Sequence, residues 1–501
     1  MRPAARLFSR WITPALDRVL IQPFFAQFPD AELFVVGGAV RDAFLGRTGK
    51  RDLDLVVRGV PGSALERFLK MHGRVHYVGR TFGVWKFQAR GDTGTEVDIA
   101  LPRTEAPMKT GGYRDVIVKS RADLPIAEDL GRRDFTINAM AWSLKDGRLV
   151  DPWKGMNDLS ARRIRAVRNP DERFREDYTR MLRALRFAVE LDATIVPATW
   201  MAIKKHAKQL VAERDGKPIV ARELVAKEFL KSLAANPVET IRLWDKAGAL
   251  DVLMPEAIAM KGCAQPKNFY TEGDVWQHAL LALETLETPK FRREFPSGWN
   301  AEAALAIFLH DVAKPVCQKT PARDKVERIC FPEHDTQGAE MAAAIIDRLA
   351  LASYKAPGID VDRGRVAFAV RHHLMAIHGK PKEMLATTIE KYFFSEPAAA
   401  ELLLKVMFAD GSATIAANGR PFLVGYRALT KRIAEVAAVR GKPGKRPAPL
   451  LRGEEIMKLL KLPPGPKIGQ IIAALREAQL NGAVRTSVAA RIWLTETYGN
   501  G

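Results

Sequence analysis

Apolar and polar positions change rhythm along the chain. Between residues 33 and 150, short apolar runs bounded by turn residues recur as LFVVGG, DLDLVV, GVWKFQAR, EVDIALP, VIVKS and AMAWSL. Runs of that length predict β-strands separated by loops. From Pro170 to about Pro255 the period lengthens. In EDYTRMLRALRFAVEL, Met181, Leu182, Leu185 and Val189 recur at helical spacing, with Arg180, Arg183 and Arg186 interleaved. Residues 270 to 415 are again helical, with alanine-rich runs EAALAIFLH and EMAAAIIDRLA. RGKPGKRPAP, residues 440–449, reads as a basic Pro/Gly linker. The segment after it, GEEIMKLLKLPPGPKIGQIIAALREAQLNGAV, predicts helix, break, helix. The pattern describes a multidomain α+β chain: an α/β head at 1–150, a helical neck and body at 151–265, a helical domain at 266–420 and a helical tail at 421–501.

Length and charge narrow the class. A chain of 501 residues is too long for one ordinary core. Lys and Arg number 78 against 58 Asp and Glu, a net charge of +20 that favours a polyanionic partner such as nucleic acid or an acidic membrane surface. No apolar run approaches the ~18 residues needed to cross a bilayer, which argues against an integral membrane protein. Cys263, Cys317 and Cys330 show no CxxC or paired spacing, so a reducing, cytoplasmic setting is expected rather than a disulfide framework. MRPAARLFSRWITPAL carries Arg2, Arg6 and Arg10 with no acid before Asp17, a pattern shared with organelle-targeting peptides; the first helix of a cytoplasmic protein is the plainer reading.

Candidate chemistry begins at VGGAVRDAFLGRTGKRDLDLVV, residues 36–57. Gly37-Gly38 after an apolar strand lets backbone approach a ligand that a Cβ would block, and amides freed there could hold a triphosphate. In Asp52-Leu53-Asp54, residues two apart on a strand share a face, so both carboxylates project together while Leu53 and Leu55 face the core. Paired carboxylates suit Mg2+, which takes oxygen ligands and bridges to substrate phosphates. Asp98, on another strand-like segment, could complete the cluster, a solvated strand face being the plain alternative. Asp177 and Arg180, three residues apart, offer an acceptor and a donor that together can mimic the edge of a pairing base; an i,i+3 surface ion pair is the plain alternative.

Five stretches in order carry a resemblance: VGGAVRDAFLGRTGKRDLDLVV, GRRDFTINAMAW, DPWKGMNDL, EDYTRMLRALRFA and ARELVAKEFLKSL. They resemble the class II tRNA nucleotidyltransferase (CCA-adding enzyme) and bacterial poly(A) polymerase family, continuously over about the first half of the chain and loosely over the tail. The resemblance implies that Gly37, Gly38 and Arg41 handle a triphosphate, that Asp52 and Asp54 hold catalytic Mg2+, and that Arg133 and Asp134 recognise the sugar. It implies that Asp177 and Arg180 read the incoming base, with Arg183 and Arg186 beside them in the nucleotide site. Poly(A) polymerases of the family carry two consecutive basic residues and Phe after the glycine of the next strand. VGRTFGVWKF has Thr81 after Arg80, a departure that favours tRNA maturation from CTP and ATP over poly(A) addition to RNA 3′ ends. Members adding only CC or only the final A also exist, and the loop PRTEAPMKTGGYRDVIVKSRADL is the place where such choices are expected.

A second constellation lies at 276–410: His278, His310-Asp311, His334, His372-His373 and Asp410, in a window holding six of the nine histidines. Mixed nitrogen and oxygen donors from several helices suit one or two divalent ions, Mg2+ or a transition metal, and a metal-activated water could attack a phosphoester. By His278, His310, Asp311 and Asp410 the window resembles HD-type metal-dependent phosphohydrolases, with His334 and His373 fitting the extra ligands of binuclear members. Arginines of RRIRAVRNPDERFRED and the basic tail would contact RNA phosphates without reading sequence. The competing functions are a phosphohydrolase with an inactive transferase head, and a basic RNA-binding protein with neither activity.

Overall fold

A computed structural model describes residues 8, 11–47, 53–78, 83–90, 96–107, 111–112, 116–440 and 448–499. Arg2, Arg6, Arg10, Asp52, Arg80 and Thr81, and residues 441–447 of the basic linker, lie outside the described residues. The chain divides into two compact units, Met1–Leu253 and Met254–Gly501. The first takes in both the α/β head and most of the helical body.

In the first unit the described strands up to residue 150 are β1 (Glu32–Val36), β2 (Leu53–Arg58), β3 (Gly73–Val78), β4 (Val84–Ala89), β5 (Glu96–Ala100), β6 (Arg103–Pro107), β7 (Val116–Ser120), β8 (Ala141–Ser143) and β9 (Leu149–Val150). Seven form one sheet in the order β3-β4-β5-β2-β1-β8-β9, and β6 pairs with β7 separately. Only β2 and β5 run parallel in the large sheet; its other neighbours are antiparallel. Central β1 is apolar after Glu32 because both faces are covered, with Leu33, Phe34, Val35 and Val36 all buried. Strands β4 and β5 alternate instead. Trp85, Phe87, Val97 and Ile99 enter the core, which puts Lys86 and Asp98 on the opposite face with Asp54 of β2.

Of the helices α1 (Gly38–Phe44), α2 (Gly62–His72), α3 (Pro170–Glu176), α4 (Thr179–Leu191) and α5 (Arg222–Ala235), α2 packs on the apolar side of the sheet beside Trp85 and the other four frame the polar face. Asn169 caps α3 by accepting from the Asp171 amide at 2.9 Å, with Pro170 at the first helical position. Met181, Leu182, Leu185 and Val189 of α4 are buried, as their spacing predicts. The helix expected through EDYTRMLRALRFAVEL is interrupted, however. Asp177 is extended (φ −158°, ψ 104°) between α3 and α4, and its Oδ1 accepts from the Thr179 amide at 2.9 Å, so a side chain takes over where the helix ladder stops. Strands β3 and β6 were not anticipated; β3 is exposed over most of its length and lacks the apolar alternation that announces a strand.

The second unit contributes α6 (Val275–Glu284), α7 (Ala301–Leu309), α8 (His334–Arg348), α9 (Arg363–His372), α10 (Pro397–Ala413) and α11 (Val424–Arg440). Every residue of α7 is buried, and its alanines allow the flanking helices to approach closely. Asp274 and Asn300 cap α6 and α7, accepting at 2.8 and 2.9 Å from Gln277 and Ala303. The tail is α12 (Gly453–Leu460), α13 (Pro466–Leu480) and α14 (Ser487–Tyr498). The break at PPGP falls between α12 and α13 as expected, and Leu451, Ile456, Ile468, Ile471, Leu475, Val484, Ala490 and Leu494 give the tail its own apolar core. Among the described residues no helix is long and apolar enough to cross a membrane.

Candidate functional site

The polar face of the large sheet opens into a cleft of about 1190 Å³, lined by Gly38, Arg41, Asp54, Asp98, Arg133, Asp134, Asp177, Arg180, Arg183 and Arg186 among others. Gly37 has φ +73°, which favours glycine, and a Cβ there would displace the Arg133 guanidinium. Its partner Gly38 opens α1. Asp54 and Asp98 are register partners on parallel β2 and β5, so both carboxylates face the cleft side by side. Lys86, opposite Asp98 on β4, donates to Asp98 at 3.1 Å and to Glu96 at 2.6 Å. These hydrogen bonds, that to Glu96 first, push its ammonium up to about 12. The groups here able to ligate a cation are carboxylates and offer oxygen only, the chemistry Mg2+ takes, while the Lys86 ammonium has no lone pair to give.

Arg41 is buried, and that burial brings its guanidinium down to about 10. Its Nε and Nη2 each donate to Asp42 at 3.0 Å and its Nη1 to Asn138 at 2.6 Å. Asn138 in turn donates to Asp134 at 3.0 Å, and Arg183 reaches Asp134 Oδ2 through Nε at 2.8 Å and Nη2 at 2.5 Å. Burial alone would raise Asp134, but the Arg183 charge and hydrogen bonds from Asn138, Arg183 and the Phe135 amide hold it well below the usual carboxylate range. Asp134 therefore acts as an anchor for Arg183 and Asn138. Asn138 escaped the sequence reading although it lies within GRRDFTINAMAW.

Asp177 and Arg180 do come together, with Nε 3.8 Å from Oδ2, across the junction of α3 and α4 instead of on one helix face. Arg180 also donates to Glu176 at 2.7 Å and to the Arg173 carbonyl at 3.0 Å. Burial pushes the Asp177 carboxyl up, against the pull of Arg180 and Thr179. The Tyr178 amide donates to the Gly111 carbonyl at 3.0 Å, tying part of the loop at 102–124 to the residue next to Asp177. Arg186 pairs with Glu190 at 2.6 Å and with Glu228.

The second unit gathers its histidines at a buried cluster. His278, His310 and Asp410 form one triad of possible ligands, and Asp311, His334 and His373 another. His310, His334 and His373 each direct Nδ1 to a backbone carbonyl three residues earlier, at 2.6, 2.7 and 2.6 Å, which leaves Nε2 facing inward. His278 Nδ1 lies 2.8 Å from Glu272 and its Nε2 3.2 Å from Asp410. Asp311 lies between the triads, its Oδ1 3.4 Å from His334 and its Oδ2 3.2 Å from His310. His310 Nε2, His334 Nε2 and Asp311 Oδ1 are buried without a hydrogen-bond partner, while Asp311 Oδ2 faces the Lys314 ammonium, an arrangement that a bound cation would complete. Burial lowers His373 to about 4, which keeps its imidazole neutral. Neighbouring His372 points elsewhere, packing its ring 4.8 Å from both Phe368 and Tyr392. Glu272 and Lys314, whose Nζ is 2.7 Å from Asp311, were not singled out because nothing in their spacing marks them.

Sheet, cleft and paired carboxylates are those of a nucleotidyltransferase, and residues 33–165 match the family model described as the Poly A polymerase head domain. The chain is 34% identical over 384 residues to the A-adding tRNA nucleotidyltransferase of Deinococcus radiodurans, covering 75% of this chain and 81% of that one. It is 30% identical over 486 residues to the CC-adding tRNA nucleotidyltransferase of Thermus thermophilus, covering 94% of each. The crystal structure of the Bacillus stearothermophilus CCA-adding enzyme in complex with CTP superposes with a TM-score of 0.60 at 20% identity, covering 97% of this chain and 98% of that one. The chain belongs to the tRNA nucleotidyltransferase family. Enzymes of this class need a divalent metal, generally Mg2+.

Proposed function

We propose that the chain completes tRNA 3′ ends by adding CCA from CTP and ATP, and that its second unit carries an HD-type phosphohydrolase acting on phosphoesters at RNA ends. The observation that carries the first part is the single cleft in which Asp54 and Asp98, Gly38, Arg41 and the Asp177–Arg180 pair converge. The RNA 3′-hydroxyl oxygen attacks the α-phosphate of the nucleotide and gives up its proton to water, one P–O bond forms, the bond to the β-phosphate breaks, and pyrophosphate leaves. Mg2+ held by Asp52, Asp54 and Asp98 would supply charge neutralisation at the transferring phosphate and alignment of the attacking oxygen. Gly37, Gly38 and Arg41 hold the polyphosphate. Arg133 meets the ribose while Asp134 fixes Arg183, and Asp177 and Arg180 present an acceptor and donors to the base edge. Arg183 and Arg186 complete the nucleotide site.

The partition that goes with this reading is a catalytic head at 1–150, a neck and body at 151–265, the hydrolase at 266–420 and an RNA-gripping tail at 421–501. Three free cysteines support work in the reducing cytoplasm. In the second unit the six donors would hold one or two divalent ions, Mg2+ or a transition metal, the nitrogen-rich set favouring the latter. Incubating the protein and Mg2+ with tRNA ending before CCA, tRNA ending in CC, or oligo(A), each with CTP, ATP or both, tests the transferase assignment. Sequenced 3′ ends completed to CCA, and lost in Asp54→Ala, are the expected result. Addition confined to CC or to one A would place the chain with the specialised relatives, and long A tails would overturn the tRNA reading.

A further inference from the structure

We propose that Phe187 is a positioning residue whose ring fixes three cleft-lining arginines, Arg41, Arg183 and Arg186, as one array of donors for the polyphosphate of the incoming nucleotide. The inference rests on the nucleotidyl-transfer reading of the cleft. Phe187 follows Arg186 on α4 and is buried at the cleft wall. The guanidinium carbons of Arg186, Arg41 and Arg183 stand 4.0, 4.9 and 5.4 Å from its ring centroid. All three fall within the ~6 Å over which a ring quadrupole attracts a cation.

Three like charges around one ring repel, and without restraint they would spread toward water. Each is restrained twice. Arg41 pairs with Asp42, Arg183 with Asp134, and Arg186 with Glu190 and Glu228, while the same ring takes up all three from a second side. Asn138 joins the array internally, accepting from Arg41 and donating to Asp134. The ring is itself fixed, edge-on to buried Phe135 with centroids 5.9 Å apart at 83°. Arginine suits such an array because its planar fork stacks on an aromatic face and still presents donors in phosphate geometry. Donors held before the ligand arrives lose little freedom when they bind it, so the ring supports polyphosphate binding equally in the ground state and the transition state.

Leucine or methionine at 187 fills most of the space and leaves every acid partner in place, but removes the quadrupole; tyrosine keeps the ring. KM and kcat for CTP and for ATP on tRNA ending before CCA, the inhibition constant of inorganic tripolyphosphate, and the thermal midpoint are measured for wild type, F187L, F187M and F187Y. The array predicts that F187L and F187M raise both KM values and the tripolyphosphate constant together by about tenfold, with kcat changed less than about threefold, and that F187Y stays near wild type. A lower thermal midpoint with unchanged KM and tripolyphosphate inhibition would make Phe187 an ordinary core residue and overturn the proposal. If the leucine variant does not fold, the methionine variant decides on the same criteria. Tripolyphosphate affinity, followed by direct binding, separates the two readings. A wild-type chain that incorporates no nucleotide yet binds tripolyphosphate in a ring-dependent way refutes the transfer chemistry and keeps the array, and ring-independent binding by an active enzyme refutes the array alone.

Discussion

Replacing Asp134 by asparagine removes one charge from the floor of the cleft while keeping the shape of the side chain. The carboxylate accepts from the Phe135 amide at 2.8 Å, from Asn138 at 3.0 Å and twice from Arg183. In the variant the new NH2 meets either a guanidinium or another N–H donor, and the Arg183 charge loses its counterion. Removing one partner of a buried pair costs about 3–5 kcal/mol. Arg183 keeps 31% of its side chain in contact with water, which recovers part of that, so a net loss of about 2–3 kcal/mol at pH 7 is expected. The native pKa of Asp134 is depressed, so its contribution is complete above the unfolded value of ~3.9 and is lost as pH falls from there toward the native pKa. Hydrogen exchange of the Phe135 amide reads the effect directly. At pH 7 the variant should exchange about 30- to 160-fold faster than wild type, the gap narrowing below about pH 4. Equal exchange at pH 7, or a gap as wide at pH 3 as at pH 7, would refute the argument that the ionised pair holds this part of the cleft.

Gly37→Ala should cost about 1–2 kcal/mol from its positive φ, and, by displacing the Arg133 guanidinium, raise the KM for both nucleotides; a thermal midpoint and steady-state kinetics check both. The double variant His310→Ala, Asp311→Ala should lose divalent metal from the second unit, read by elemental analysis of the purified chain. It should also lose opening of a 2′,3′-cyclic phosphate, with CTP and ATP incorporation retained. RNA affinity, measured by filter binding, should fall at least about tenfold between 50 and 200 mM salt if lysine and arginine contacts to phosphate dominate; a flat response would count against the basic surface as the RNA-binding element.

The sheet was legible where burial is two-sided or alternating: LFVV reads as a strand from its unbroken apolar run, DLDLVV and EVDIA from alternation, whereas the register that puts Asp54 beside Asp98 came from the pairing of β2 with β5. Strand β3 was not legible because it is largely solvent-facing and held by pairing with β4. The same limit applied to Asp177. It does meet Arg180, but not through a helical turn: the break between α3 and α4 is set by a side chain bonding to Thr179, which periodicity does not register. The second-unit histidines were visible as an ordered set, whereas Glu272, six residues before His278, carried no signal until the fold turned it onto that ring. Partners brought in from distant segments, such as Glu228 for Arg186, belong to the same class.

Three of the cluster's histidines take their orientation from the carbonyl three residues back in their own chain. The aim of each imidazole is thus written into a single turn of backbone, and does not depend on agreement among the other ligands. Such a turn is a portable part. It can be moved whole into another helical scaffold with its pointing direction intact, and the evolutionary step from a bare helical bundle to a metal-ready one shortens to placing a few such turns so that they look at the same point.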